Sequence, residues 1–327
     1  MYPKLRENVW HVHPSHNTAA LITSRATYQV PAVAALHFLK MRSYFTGHHS
    51  LEAIAEKSGL SMEDMTALLQ SLEPADIVYE ASTSDKPVPV EHVRETLTQA
   101  CRIWSQELAL GYIGNEFARG ELPKTVLIGW LLEMYHYIRD FPHAIEHGAR
   151  CATGELQDIL HRYAEEEKGH EEFVLRTLMN LGMSKAEVQT SIPLLSTRMI
   201  AFQMRELFEV EPSSALMVAA VLEAQEFNDA QIGAFKEHLR SHYGIQIDAM
   251  DPYFEHQRID VGLGHAELLA THLDLIHVID LQTLDQIVNK IHDLKHAFDL
   301  QSVEIKHYFT ALNGKYVPRQ PVDFASI

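Results

Sequence analysis

LPKTVLIGWLLEMYHYIRDFPHAIEHG, residues 122–148, decides the class of fold. Apolar residues recur through it at three- and four-residue intervals, the period of a helix, over a span much longer than a strand. Pro123 stands at its start, where a missing backbone N–H does no harm. Working outward, six further amphipathic segments lie at about 91–118, 153–181, 194–209, 212–242, 252–280 and 283–312. Gly182 and Gly244 fall just past segment ends, as C-cap glycines do. Seven helices over residues 89–315 predict one all-α bundle.

A seam precedes it. STSDKPVPV (82–90) has two prolines among small polar residues and sets off residues 1–88 as a small, mainly helical domain. Residues 316–327 remain as a C-terminal tail. In the small domain a helix through VPAVAALHFLKMRSYF (30–45) is followed by SLEAIAEKSG, SMEDMTALLQSLE and a short strand, DIVYE (76–80). Ser50 and Ser61 can N-cap the two short helices, and Gly59 can end the first. This order resembles a helix-turn-helix or winged-helix module. A DNA reader needs Lys or Arg on its second helix. Residues 61–73 have none and carry Glu63, Asp64 and Glu73 instead. The domain is therefore expected to dock a carrier protein or peptide, or to dimerise, with Met62, Met65 and Leu68 as apolar contacts.

Composition narrows the classes further. Of 327 residues 46% are hydrophobic, enough for a full core, so disorder is excluded. A net charge of −17 argues against nucleic acid or an anionic membrane as the main partner. Two cysteines without a CxxC exclude a disulfide scaffold and a thiolate zinc site. No apolar run approaches about 18 residues and no signal-peptide core is visible, so a soluble cytoplasmic protein is expected.

Metal-binding residue types concentrate on three segments. The third carries YAEEEKGHEEF (163–173), where Glu167 and His170 form ExxH, about 60° apart on a regular helix. Carboxylate-bridged bundles use this spacing to give a metal one carboxylate and one imidazole. A solvated acidic face with Glu165, Glu166, Glu171 and Glu172 reads the same way. The spacing also recurs at Glu133/His136 and Glu304/His307. The fifth carries ALMVAAVLEAQEF (215–227), in which Glu223 follows eight uncharged residues on a helix expected to be buried. A buried carboxylate needs a cation or metal nearby; Glu226 is the alternative on the same side.

The sixth segment carries HQRIDVGLGH (256–265). His256 and Asp260, at i,i+4, can chelate from one helix face or form a surface ion pair. His265 lies about 140° from Asp260 on a regular helix. A π-bulge around Gly262–Gly264 is expected to bring it back to Asp260 and His256 at one metal. Close helix packing also favours glycine there. Together the three segments offer three imidazoles and three carboxylates without sulfur, a set suited to iron or manganese, with zinc a further option. Six ligands, with carboxylates able to bridge, suit two metals about 3.5–4 Å apart.

Other features read as structural. HDLKH (292–296) is polar and surface-like, and HVHPSH (11–16) offers little geometric selectivity. Tyr135, His136 and Tyr137 line the interior, one of them a candidate for contact with substrate or metal-bound water. Cys101 has no evident base.

These stretches resemble the haem-oxygenase-like dimetal oxidases, relatives of the pyrroloquinoline-quinone synthesis oxidase and the TenA-type thiaminases. The likeness covers about residues 95–290. It lies in GELPKTVLIGWLLEMYHYIRDFPHAI (120–145), EEEKGHEEFVLRTLMNLG (165–182), VLEAQ (221–225), and HYGI with YFEHQRIDVGLGHAELL (242–269). It implies a seven-helix haem-oxygenase-like bundle in which Glu167, His170, Glu223, His256, Asp260 and His265 are the catalytic metal ligands. It further implies two Fe(II) per chain, with manganese as the other candidate metal, O2 as co-substrate, and a homodimer. The implied activity is that of a nonhaem diiron oxygenase or oxidase. Its substrate is expected to be a small metabolite, amino-acid-like, acidic or carrier-bound, with Arg139, Arg162, Arg198 and Arg258 as candidate anchors. A metal-free relative binding a small molecule, or acting as a cofactorless oxidase, is the alternative, and ferritin-like iron handling with two ExxH motifs is a third. Some members place a lysine beyond the fifth-helix glutamate where this chain has Gly233, Lys236 being nearest. That departure argues against their self-sacrificing, cofactor-forming chemistry.

Overall fold

Strands open the chain, a feature the sequence reading does not anticipate. A computed structural model describes residues 2–12, 17–80, 88–224, 227–312 and 319–327. His13 and His16 of HVHPSH, residues 82–87 of the seam, Glu226, and residues 316–318 of the tail lie outside the described residues. By contact the chain divides into two units, Met1–Leu110 and Gly111–Ile327.

The first unit begins with β1 (Pro3–Leu5), β2 (Val9–Val12), β3 (Thr18–Ile22) and β4 (Thr27–Pro31). It continues with α1 (Ala32–Met41), α2 (Leu51–Ser58), α3 (Met62–Leu72), β5 (Val78–Glu80) and α4 (Val90–Gly111). β2, β3 and β4 form an antiparallel sheet, and β1 pairs antiparallel with β5. Strands of three to five residues are too short for alternation to register in the sequence. The helices follow their caps: Ser50 accepts from Ala53 N, Ser61 from Asp64 N, and Gly59 closes α2. Leu21, Phe38, Ile54, Met65 and Ile77 form the core. Met65, expected to face a partner, is fully buried there because α3 turns it inward; Leu68 leans on the same core and Met62 is exposed.

The second unit holds α5 (Gly114–Ala118), α6 (Lys124–Cys151), α7 (Gly154–Glu166), α8 (Glu171–Asn180), α9 (Lys185–Thr190) and α10 (Leu195–Val210). After these come α11 (Ser214–Leu222), α12 (Asp229–Tyr243), α13 (Asp251–Leu263), α14 (Leu268–Thr271) and α15 (Leu281–Thr310). The opening stretch becomes α6, which packs against α7, α8, α10 and α15. Val126, Leu127, Leu131, Leu132 and Ile145 on it are fully buried, each leucine or isoleucine contributing about 1.5–3 kcal/mol of transfer energy. α6, α10 and α15 run unbroken as expected. The first, third, fifth and sixth segments do not: the first breaks at 112–113, the third at 167–170 and the sixth at 264, and the fifth yields α11, ending at Leu222, and α12, starting at Asp229. Among the described residues no helix is long and apolar enough to cross a membrane.

The two extra ExxH carboxylates have a use in this bundle. The N-cap of α10 is Leu194, which has no side-chain acceptor for the free N–H groups of a helix terminus. Glu133 of α6 supplies one, its Oε2 accepting from Leu194 N at 2.9 Å and Thr197 Oγ1 at 2.6 Å. Glu304 of α15 supplies the other, accepting from Ser196 N at 2.9 Å. Negative charge at a helix N-terminus is favourable, although burial lifts the Glu133 carboxyl to about 7 against its two hydrogen bonds. His136 bonds Ser191 Oγ and His307 is exposed. Ferritin-like ligation by these pairs therefore loses its basis. Glu133→Ala leaves a buried N–H without a partner and should cost about 1–3 kcal/mol in urea unfolding, with metal uptake unchanged. Unaltered stability would contradict the capping role.

Candidate metal centre

α7 ends one residue before the ExxH glutamate. Glu167 is its C-cap, and the chain turns through Gly169 at φ +87° before His170 caps the start of α8. That left-handed conformation costs an L-residue roughly 1–2 kcal/mol, which explains a glycine at this point. ExxH is thus a turn between two helices, not one helix face. α11 likewise ends at Glu223, its C-cap, after a mostly buried apolar run.

The expected π-bulge is absent. α13 stops at Gly264, left-handed at φ +74°, and His265 starts a separate 3-10 turn. Gly262 stays in the helix beside open space, and nothing in the structure explains it. The stop turns His265 away from Asp260 and His256 and toward Glu167 and Glu223.

All six expected ligands nevertheless gather, in two groups that share Glu167. One is Glu167, His170, His256 and Asp260; the other is Glu167, Glu223 and His265; within each, the ligand atoms lie within 4.8 Å of one another. In the first, His170 Nδ1 is 3.2 Å from Asp260 Oδ1 and 3.4 Å from Glu167 Oε2, and His256 Nε2 is 3.3 Å from Asp260 Oδ2. In the second, His265 Nδ1 is 2.8 Å from Glu167 Oε1 and 3.0 Å from Glu223 Oε2. The two oxygens of Glu167 thus face different groups.

Alignment separates these contacts from ordinary hydrogen bonding. Glu167 Oε1, His170 Nδ1, His256 Nε2 and Asp260 Oδ1 are all buried, and none has a hydrogen-bond partner. Buried polar atoms are nearly always paired. Three of these orphans, on His170, His256 and Asp260, converge in the first group, and Glu167 Oε1 faces the second; this sulfur-free N/O set fits a divalent metal such as Fe(II) or Mn(II).

Two further residues belong to the centre. Tyr163, four residues before Glu167 and therefore on its helix face, donates its hydroxyl to Glu223 Oε1 and stacks edge-on against His265. Glu166 Oε2 accepts from His265 Nε2 at 3.2 Å. The spacing to Tyr163 was readable in the sequence. Glu166 gave no signal, because adjacent residues on a regular helix point about 100° apart.

Charge balance follows the geometry. Burial alone would raise the Glu167 carboxyl, but His170 and His265 beside it hold it at about 2. Burial lowers both of those rings, and the facing carboxylates outweigh it, lifting His170 to about 9 and His265 to about 10. Burial pushes Glu223 up to about 7, helped by the charge on Glu167, and pushes His256 down. Burial and the carboxylates of Glu223, Glu167 and Asp260 hold the Tyr137 phenol well above its usual range. Of the three interior residues 135–137, Tyr137 is therefore the one near the metal groups.

The remaining candidates lie elsewhere. Arg258 pairs with Asp229 and Arg139 with Asp140, while Arg162 and Arg198 are exposed. As substrate anchors they gain no support. Lys236 is engaged with Asp251, and burial pushes the Cys101 thiol up to about 12.

No family model matches the chain, and among curated proteins none matches it. Solved structures do. A domain of unknown function with a haem oxygenase-like fold, from Shewanella denitrificans OS217, aligns with TM-score 0.54 and 18% identity over 70% of this chain and 97% of its own. A TenA homologue from Pseudomonas syringae pv. tomato str. DC3000 aligns with TM-score 0.47 and 12% identity over 68% of this chain and 100% of its own. The chain has a haem-oxygenase-like fold.

Protons and metal compete here. Near pH 7 the metal-free His170 and His265 both carry the proton that ligation must remove. Metal affinity should therefore rise from about pH 6 to about pH 8, with proton release on binding. Calorimetry in buffers of differing ionisation enthalpy reads this; affinity indifferent to pH would contradict it.

Proposed function

We propose that this protein is a dimetal oxidase that uses O2 to oxidise a small metabolite. The observation that carries the reading is the pair of ligand groups sharing one buried carboxylate, Glu167. Bound there, two Fe(II) ions would supply the redox chemistry and the site for O2. Glu167 would bridge them, with His170, His256 and Asp260 on one side and Glu223 and His265 on the other.

The chain's own residues do the rest. Phe173 lies against His170 and His256, Tyr163 against His265, and Phe141 behind Tyr163. This aromatic wall keeps bulk water from the ligands and strengthens each electrostatic contact. Tyr163 stays protonated, so it presents a hydroxyl donor to Glu223 rather than a competing anion.

Anaerobic reconstitution with Fe(II) tests the proposal. Wild type should retain two equivalents and consume O2 once reduced. His256→Ala removes a ligand from one group only and should retain about one equivalent. Glu167→Ala removes the shared ligand and should weaken both positions. Equal iron uptake in all three proteins would sink the dimetal site at these residues.

A further inference from the structure

Glu166 touches one edge of His265 while the metal-facing carboxylates touch the other. The ring is buried at 1% exposure, and Nε2 donates to Glu166 Oε2 while Nδ1 faces Glu167 and Glu223. The two nitrogens of a neutral imidazole differ, since one holds the proton and the other the lone pair. A proton anchored at Nε2 puts the lone pair on Nδ1.

We propose that Glu166 is the positioning residue of the second metal position, selecting the His265 tautomer that ligates through Nδ1 and fixing the rotation of its ring. The proposal rests on the dimetal reading and goes beyond the six ligands. The backbone makes it feasible. Glu167, the C-cap of α7, keeps right-handed helical backbone, so Glu166 and Glu167 diverge as helix neighbours do and reach the two nitrogen edges of the same ring. Tyr163 does the equivalent for Glu223, occupying Oε1 while Oε2 meets His265. An outer carboxylate on a ligating histidine also makes the ring a stronger donor to the metal.

The test is an anaerobic Fe(II) titration of the full chain by calorimetry, with metal analysis afterwards. Wild type should bind two ions. Glu166→Ala should keep the first and bind the second about 10–100-fold more weakly. Glu166→Gln, whose amide oxygen still accepts from Nε2, should recover most of that loss. Circular dichroism of the metal-free variants checks that each remains folded. In Zn(II)-loaded protein with isotope-labelled histidine, nitrogen NMR should show metal on Nδ1 and the proton on Nε2 of His265. Glu166→Ala binding both ions as tightly as wild type, Glu166→Gln as weak as Glu166→Ala, or zinc on Nε2 would each overturn the role of Glu166. Fewer than two ions in wild type would instead overturn the dimetal reading, and this proposal with it.

Discussion

One buried carboxylate, Glu167, organises the second unit. Removing a carboxylate from water costs several kcal/mol even after relaxation, and removing three together is tolerable only with matched positive charge. The metal-free protein supplies that charge by protonating His170 and His265. A metal pair would supply it by displacing those protons. The same constellation would therefore be neutralised in both states, which lets it stay buried in an apolar bundle.

That constraint also accounts for where the helices stop. A straight helix offers one narrow stripe of side chains, and six ligands converging from three segments need more directions than three stripes provide. The chain meets the need by ending helices at the ligands. Glu167 and Glu223 are C-caps, His170 is an N-cap, and His265 follows the left-handed Gly264. Only His256 and Asp260 use regular helical spacing, and they do so within a single turn of α13. The long, unbroken α6, α10 and α15 hold the frame against which these interruptions are set.

Much of this could be read from the residues, for identifiable reasons. Periodicity exposed all seven helical segments, because amphipathic helices this long repeat the pattern many times. The clustering of the six candidate residues was legible because a carboxylate within an apolar run, Glu223, and the ExxH and HxxxD spacings are uncommon in combination. The geometry of His265 did not emerge. Five residues after Asp260, it could rejoin the site by a bulge or by a helix stop, and glycines serve both; the φ of Gly264 decides for the stop. The stop also changes the partners, moving His265 from the group of Asp260 to that of Glu223. Glu166 was hidden because adjacent helix residues point about 100° apart, and only the position of the His265 ring lets both Glu166 and Glu167 reach it. The strands of residues 3–31 were lost to brevity. Glu133 and Glu304 looked like metal ligands by spacing and prove to be helix caps, a distinction only tertiary contacts can draw.

The most direct measurement of the central claim is anomalous diffraction at the iron edge from anaerobically Fe(II)-loaded crystals. Two peaks about 3.5–4 Å apart should flank Glu167. One should be held by His170, His256 and Asp260, the other by Glu223 and His265 Nδ1. A single peak, or iron bound away from Glu167, would contradict the account.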